Sequence, residues 1–201
     1  MFKYTQILLI TLIFTCTSSL AVLPEICEID PSQFYISNAE EKNRLSLIDL
    51  AMESNERFNT CIIPTRYARE ILHLRPEQIK MGRVKMLKQQ NCATVLGFYS
   101  LDVEEMDSAQ QRMELHLLFI NAEYTRHGIG SILLKHAANT ARNLGNKTLY
   151  LYSMPEAEPF YLKHGAIRTG HILNIFNPEA PVVLLDIYLG YSSLDMLHKS
   201  R

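Results

Sequence analysis

The most informative run in the chain is Leu115-His116-Leu117-Leu118-Phe119-Ile120-Asn121-Ala122-Glu123-Tyr124-Thr125-Arg126-His127-Gly128-Ile129-Gly130-Ser131. Its apolar opening reads as a strand and Asn121 to Tyr124 as a polar turn. Gly-x-Gly then leads into an amphipathic run that stops at Gly145. Glycines at a helix entrance let the backbone approach a ligand closely. The first-turn N–H groups have no helical partners, and the helix dipole adds positive potential there. Such a turn is a cradle for phosphate or pyrophosphate. On spacing alone it is equally a plain β–turn–α connection with convenient glycines, so the surrounding chain has to decide.

Outward from that stretch, residues 33–37 have strand-like aromatic and Ile density. Asn38 is placed to cap a helix over 39–54, with Leu45, Ile48 and Met52 as its apolar stripe. Residues 55–80 show little pattern beyond Pro64, which could open a helix, and a helical turn at 76–79. Residues 84–87 and 93–101 read as a hairpin around Gln89-Gln90-Asn91, and 102–111 as an exposed acidic connection. The strand 113–120 follows. The helix after the glycines packs through Ile132, Leu133, Leu134, Ala137, Ala138 and Ala141, with Gly145 just past its end. Next come a strand at 148–152, a short helix at 155–164 closed by Gly165, and strands at 166–172 and 182–189. The order β-α-(α)-β-β-β-α-β-α-β-β predicts an α/β (α+β) fold: a mixed, mostly antiparallel central sheet with helices on both faces. A dinucleotide fold would place an acidic residue about 20 positions beyond the glycines, where Asn143 and Asn146 stand instead.

At 201 residues, 47% hydrophobic and 20% charged, the chain suits one domain with a sizeable core. The net charge of -1 and the lack of a Lys/Arg run exclude a nucleic-acid polyelectrolyte. Residues 1–21 read as an export signal: Lys3, an apolar run from Ile7, and a small-x-small site at Ser19-Leu20-Ala21. The alternative is an uncleaved membrane anchor, since residues 7–23 carry no charge. The expected organisation is therefore the signal at 1–21, a lead-in at 22–32, the domain at 33–190 and a tail at 191–201. Of Cys16, Cys27, Cys61 and Cys92, the last three would survive cleavage. They could form one disulfide with one free thiol, or stay unpaired.

Four pieces in order resemble the GNAT N-acetyltransferase superfamily. They are the strand Glu114-Leu115-His116-Leu117-Leu118-Phe119-Ile120, the turn Tyr124-Thr125-Arg126-His127-Gly128-Ile129-Gly130-Ser131, the strand Leu149-Tyr150-Leu151-Tyr152-Ser153, and Ala157-Glu158-Pro159-Phe160-Tyr161-Leu162-Lys163-His164-Gly165. The departures are Thr125 where the motif prefers Gln or Arg, Glu156 where Asn is common, and Ala166 where Phe is usual.

The resemblance implies acetyl-CoA as co-substrate and an amine as acceptor, with no metal. Pyrophosphate would rest on the N–H groups of His127, Gly128, Ile129, Gly130 and Ser131, with Arg126 as an added cation. The pantetheine arm would follow Leu118, Phe119 and Ile120 like an extra strand. Tyr161, by its match, is the implied acid for the leaving thiolate, or else a core tyrosine. Glu114 is the candidate base, acting through a water, with His116 the chemically apt alternative. The two-residue strand period places residues 114, 116 and 118 on one face. His127 is expected to be exposed, and His164 to act as a cation at a helix end. Acceptor selectivity should come from 55–80 and 174–181. Two further readings stand beside the enzyme: a non-catalytic acyl-CoA-binding module, and a secreted effector modifying host protein amines. The signal places the protein outside the cytoplasm, or tethers it facing the cytoplasm if uncleaved.

Overall fold

The computed structural model describes residues 27–58, 71–103, 110–174 and 177–190. The expected signal, the helix start at Pro64, Cys16, Cys61 and the tail lie outside these residues. Seven strands form one sheet: β1 Phe34–Asn38, β2 Val84–Gln89, β3 Val95–Asp102, β4 Arg112–Ile120, β5 Thr148–Ser153, β6 Ile167–Ile172 and β7 Val182–Tyr188. Their order is β1-β2-β3-β4-β5-β7-β6. All neighbours are antiparallel except β4 and β5, which run parallel. The helices are α1 Arg44–Phe58, α2 Pro76–Lys80, α3 Ile129–Asn143 and α4 Glu158–Lys163. The expected mixed sheet and its order of elements are therefore present.

Helices cover both faces of the sheet. On one face α3 buries Leu133, Leu134, Ala137 and Ala141 against Tyr99, Leu101, Met113, Leu149, Leu151 and Leu185. On the other, Leu47, Ile48 and Ala51 of α1 and Ile79 of α2 pack on Val84, Met86, Phe98 and Leu117. Every residue of β3 from Leu96 to Asp102 is buried, which is why its sequence reads as a continuous apolar run and not as an alternation.

The α1 stripe is Leu47-Ile48-Ala51, and Leu45 is 60% exposed. Leu45, Leu47, Ile48 and Leu50 offer overlapping helical spacings, and contact with the sheet selects among them. Asn38 is not the cap: it ends β1, and its side-chain oxygen accepts from Lys85 Nζ. A tight 3-10 turn at Glu41–Asn43 precedes α1, and the Asn43 side chain accepts the Glu40 N–H at 3.0 Å. The far end of α3 follows expectation. Gly145 takes φ +86, its N–H donates to the Arg142 carbonyl, and the Asn146 N–H reaches Ala141 O at 3.1 Å.

Gly97 of β3 lets α3 lie close to the sheet. A Cβ there would stand 2.8 Å from the Phe119 backbone oxygen and 2.9 Å from Leu133 Cδ1. The oxygen belongs to the β3–β4 ladder and cannot yield. Gly97→Ala is expected to cost about 1–3 kcal/mol, read as a lowered urea midpoint at unchanged slope.

Beneath α3, the fully buried Tyr99 hydroxyl lies 2.7 Å from His136 Nδ1 and 3.1 Å from Thr140 Oγ1. Burial pushes the Tyr99 phenol up to about 12 and, with Lys85 adding to it, pulls the His136 imidazolium down. The unfolded chain would release the tyrosine proton from about pH 10, whereas the folded chain holds it to about 12. Stability therefore falls as pH rises through that window. His136 acts at the other end: the unfolded chain binds its proton below about pH 6.5, the folded chain resists, and stability falls on acidification. Tm measured against pH should show both limbs, and Tyr99→Phe should flatten the alkaline one.

Cys27 and Cys92 form a disulfide that ties the chain before β1 to the β2–β3 turn. The Cys27 N–H donates to the Tyr124 hydroxyl at 3.1 Å. The Gln89 side chain donates to Glu28 O and accepts from the Asp30 N–H, each at 2.8 Å.

Candidate active site

The opening in the sheet begins with one extra residue. Ser100 of β3 faces Leu117 and Leu101 faces Leu115, so His116 has no partner and β4 carries a bulge there. The bulge exchanges the faces of everything after it. Glu114 lies opposite Asp102 on the α1 side, whereas Leu118 lies opposite Tyr99 on the α3 side. The expectation that residues 114, 116 and 118 share one face therefore fails for Leu118, because the two-residue period breaks at His116. It holds for the first two, since His116 Nδ1 is 3.3 Å from Glu114 Oε1.

The bulge also ends the pairing of β4 with β5. Their ladder covers only Arg112↔Thr148, Met113↔Leu149 and Glu114↔Tyr150. Beyond it the two strands part, and no described strand pairs with the β5 side of Leu115–Ile120. A cavity of about 380 Å³ fills the gap. Glu114, His116, Leu117 and Phe119 line it from β4, Tyr152 and Ser153 from β5, and Ala157 and Tyr161 from α4 and its approach. Asn55, Ile71, Leu72 and Asn174 complete the wall, so described residues of both 55–80 and 174–181 line the cavity.

Tyr161 sits on the α3 side of the opening, 8% exposed, among Leu115, Leu133 and Leu185. Its hydroxyl makes no hydrogen bond to the described protein, and burial raises its pKa above the usual phenol range. It thus keeps its proton, with nothing but the cavity to donate to. Glu158 anchors its helix: Arg168 Nε of β6 donates to Glu158 Oε1 at 2.6 Å, and the guanidinium holds that carboxyl below its ordinary range.

The Gly-x-Gly turn fits an anion. The N–H groups of His127 through Ser131 have no protein acceptor among the described residues, and the first bond of the helix start is Ile132 N–H to Gly128 O at 3.1 Å. Gly128 takes φ +76, a left-handed conformation that a Cβ would strain. Gly130 is small for a different reason. A Cβ there would meet Ile120 Cδ1 at 2.9 Å and the Phe160 ring at 3.2 Å, so this glycine admits side chains and not only a ligand. Arg126 and His127 are exposed beside the turn.

Two histidines behave in ways their sequence positions do not reveal. His164 stands at its helix end as expected, and it also bridges two helices. Its Nδ1 donates to Phe160 O at 2.8 Å and its Nε2 meets Ser131 Oγ at 2.9 Å, joining α4 to the first turn of α3. His73, in the stretch with least pattern, brings its ring to 5.8 Å from that of His116. Asn55 was detectable as a polar residue continuing the α1 apolar stripe, and it is 4% exposed in the cavity wall. Among the described residues no group of three or more His, Cys, Asp or Glu is placed to hold a metal.

A family model described as the acetyltransferase (GNAT) family matches residues 23–166. The chain belongs to that family. Solved GNAT-fold structures agree in architecture. PaiA N-acetyltransferase from Thermoplasma acidophilum, in complex with coenzyme A, superposes with TM-score 0.57 at 18% identity, over 77% of this chain and 98% of that one. The yncA protein from Salmonella typhimurium, with its cofactor acetyl-CoA, gives 0.58 at 16% identity over 80% and 96%. The ribosomal-protein-S18-alanine N-acetyltransferase from Escherichia coli gives 0.57 at 16% identity over 80% and 96%. No curated protein sequence matches significantly. In general terms this is a GNAT-fold acyltransferase, and the parted β4 and β5, the amide-lined turn and Tyr161 are where its sheet opens.

Proposed function

We propose that the protein transfers the acetyl group of acetyl-CoA to a primary amine by direct attack in a ternary complex. The observation that carries this reading is the β4–β5 opening, with an unpartnered tyrosine hydroxyl on its α3 side and a carboxylate–imidazole pair on its α1 side. Acetyl-CoA, when bound, supplies an activated thioester carbonyl. The N–H groups of His127, Gly128, Ile129, Gly130 and Ser131 would hold its pyrophosphate, aided by Arg126. The unpaired edge of Leu118, Phe119 and Ile120 would take its pantetheine amides as a strand takes a neighbour. Glu114, or His116 beside it, takes the ammonium proton so that the nitrogen lone pair can form the C–N bond. Tyr161 gives its proton to the sulfur as the C–S bond breaks. Acid and base on opposite sides of the sheet let the two substrates enter from opposite faces.

The test is a mass-shift screen of an amine panel with acetyl-CoA and the full chain. An acetylated product whose formation Glu114→Gln or His116→Asn slows supports the reading and names the base. Binding of acetyl-CoA without consumption by any amine sinks it in favour of a non-catalytic module. We further propose export, which the apolar segment at 1–21 and the Cys27–Cys92 disulfide support. A mature start near Val22 is the expected result of N-terminal sequencing, and an intact Met1 in the membrane fraction would instead mean a tether.

A further inference from the structure

His164 can hold the start of α3 in two hydrogen-bonding states. Its Nδ1 lies 2.8 Å from Phe160 O. A carbonyl only accepts, so Nδ1 carries a hydrogen whether the ring is neutral or charged. The other nitrogen, Nε2, lies 2.9 Å from Ser131 Oγ. A neutral imidazole has a single N–H, so Nε2 then accepts, and the Ser131 hydroxyl donates its hydrogen to it. An imidazolium donates from both nitrogens. Nε2–H then goes to Ser131 Oγ, and the serine hydrogen is free to point elsewhere. The ring is seated against its neighbours. Its centroid lies 4.6 Å from that of Phe160, and Gly130, having no Cβ, leaves room for the Phe160 ring beside the first turn of α3.

Ser131 supplies one of the amides of the glycine turn, and side chains on a helix lean toward its N-terminus. The Ser131 hydroxyl therefore lies over that same turn. We propose that His164 is a positioning residue for the pyrophosphate of coenzyme A: the imidazolium releases the Ser131 O–H to the anion, whereas the neutral ring holds it away. The proposal rests on the coenzyme A reading above. A bound anion favours a cation nearby and gains a hydrogen bond from the released hydroxyl. Binding to the neutral form therefore takes up one proton, from solvent to Nε2. Histidine is the side chain suited to such a switch, since its charge changes between about pH 5 and 8. The other ionisable groups on the surrounding elements are Lys163 and Glu158 of α4, Arg126 and His127 in the turn, Lys135 one helical turn beyond Ser131, and Arg168, which pairs with Glu158.

The test titrates coenzyme A into the full chain, wild type and Ser131→Ala, at about pH 6 and about pH 8.5, on either side of histidine titration. Both proteins share every other titrating group, His127 and the ligand phosphates included, so the ratio of their Kd values isolates the serine. The expected ratio favours wild type by about tenfold at the lower pH and by no more than about twofold at the higher. In a His164→Gln background, whose side chain takes no charge, the same ratio should be equal at both pH values. Alanine is the best helix former, so equal Tm values should confirm that Ser131→Ala keeps the fold. A wild-type ratio that does not fall as pH rises overturns the proposal and leaves coenzyme A binding standing; a His164 that only ties two helices together predicts that result. No binding of coenzyme A by wild type at either pH overturns the proposal together with the coenzyme A reading.

Discussion

Tyr161→Phe lowers kcat by about 10²- to 10⁴-fold while CoA affinity and Tm stay close to wild type; this is the expected result if the hydroxyl is the acid for the departing thiolate. The expectation of an unchanged fold is specific to this site. Removing a buried hydroxyl usually strands its partner, at a cost of roughly 1–3 kcal/mol. Here the hydroxyl has no described protein partner. The ring, packed edge-on against Phe160 at 5.0 Å, is retained in the variant. Burial holds the phenol above its ordinary range, so it remains protonated throughout the range in which an amine base can work. A tyrosine that merely fills space predicts the opposite outcome, a Phe variant with wild-type turnover. Calorimetric CoA affinity, thermal melts and steady-state kinetics on the same preparation separate the two.

Loss of the Cys27–Cys92 bond, by Cys92→Ser or by reduction, is expected to cost about 2–4 kcal/mol, or on the order of 10 °C in Tm for a domain of this size. The two cysteines lie 65 residues apart in sequence, so the bond closes a long loop and removes many conformations from the unfolded chain. The native state also depends on it locally. Cys27 delivers its N–H to the Tyr124 hydroxyl, and Tyr124 is buried immediately ahead of the Gly-x-Gly turn. Reduction should therefore weaken CoA binding as well as global stability. Thermal melts with and without reductant, together with CoA titrations in both, check this. Identical Tm values in the two conditions would show that the bond contributes nothing in solution.

Much of this architecture was legible along the chain because it rests on local rules. Gly145 and Gly165 both take positive φ where helices stop, and the α3 apolar spacing matches its buried side. The order of strands and helices needed only hydrophobic period and turn residues. Of the expected α1 stripe, Ile48 is in the core and Met52 packs against it, whereas Leu45 points outward, because several apolar residues fit more than one helical face and only the sheet chooses among them. The same distinction applies at the site. Glu114, Tyr161 and the glycines could be nominated by position in motifs, whereas His73 could not, since the stretch around it carries no period and its approach to His116 is a long-range event.

Strand, glycine and helix signals act over a few residues, so the element order, the glycine turn and the four family-like pieces could be read along the chain. Tertiary structure decided the rest. An unpaired His116 became a bulge only when β3 set the register opposite it. That one residue turned Leu118 to the other face and ended the β4–β5 ladder. It thereby opened the cavity between Glu114 and Tyr161. Register and cysteine pairing depend on which distant backbone lies alongside, and chain-local physics does not specify that.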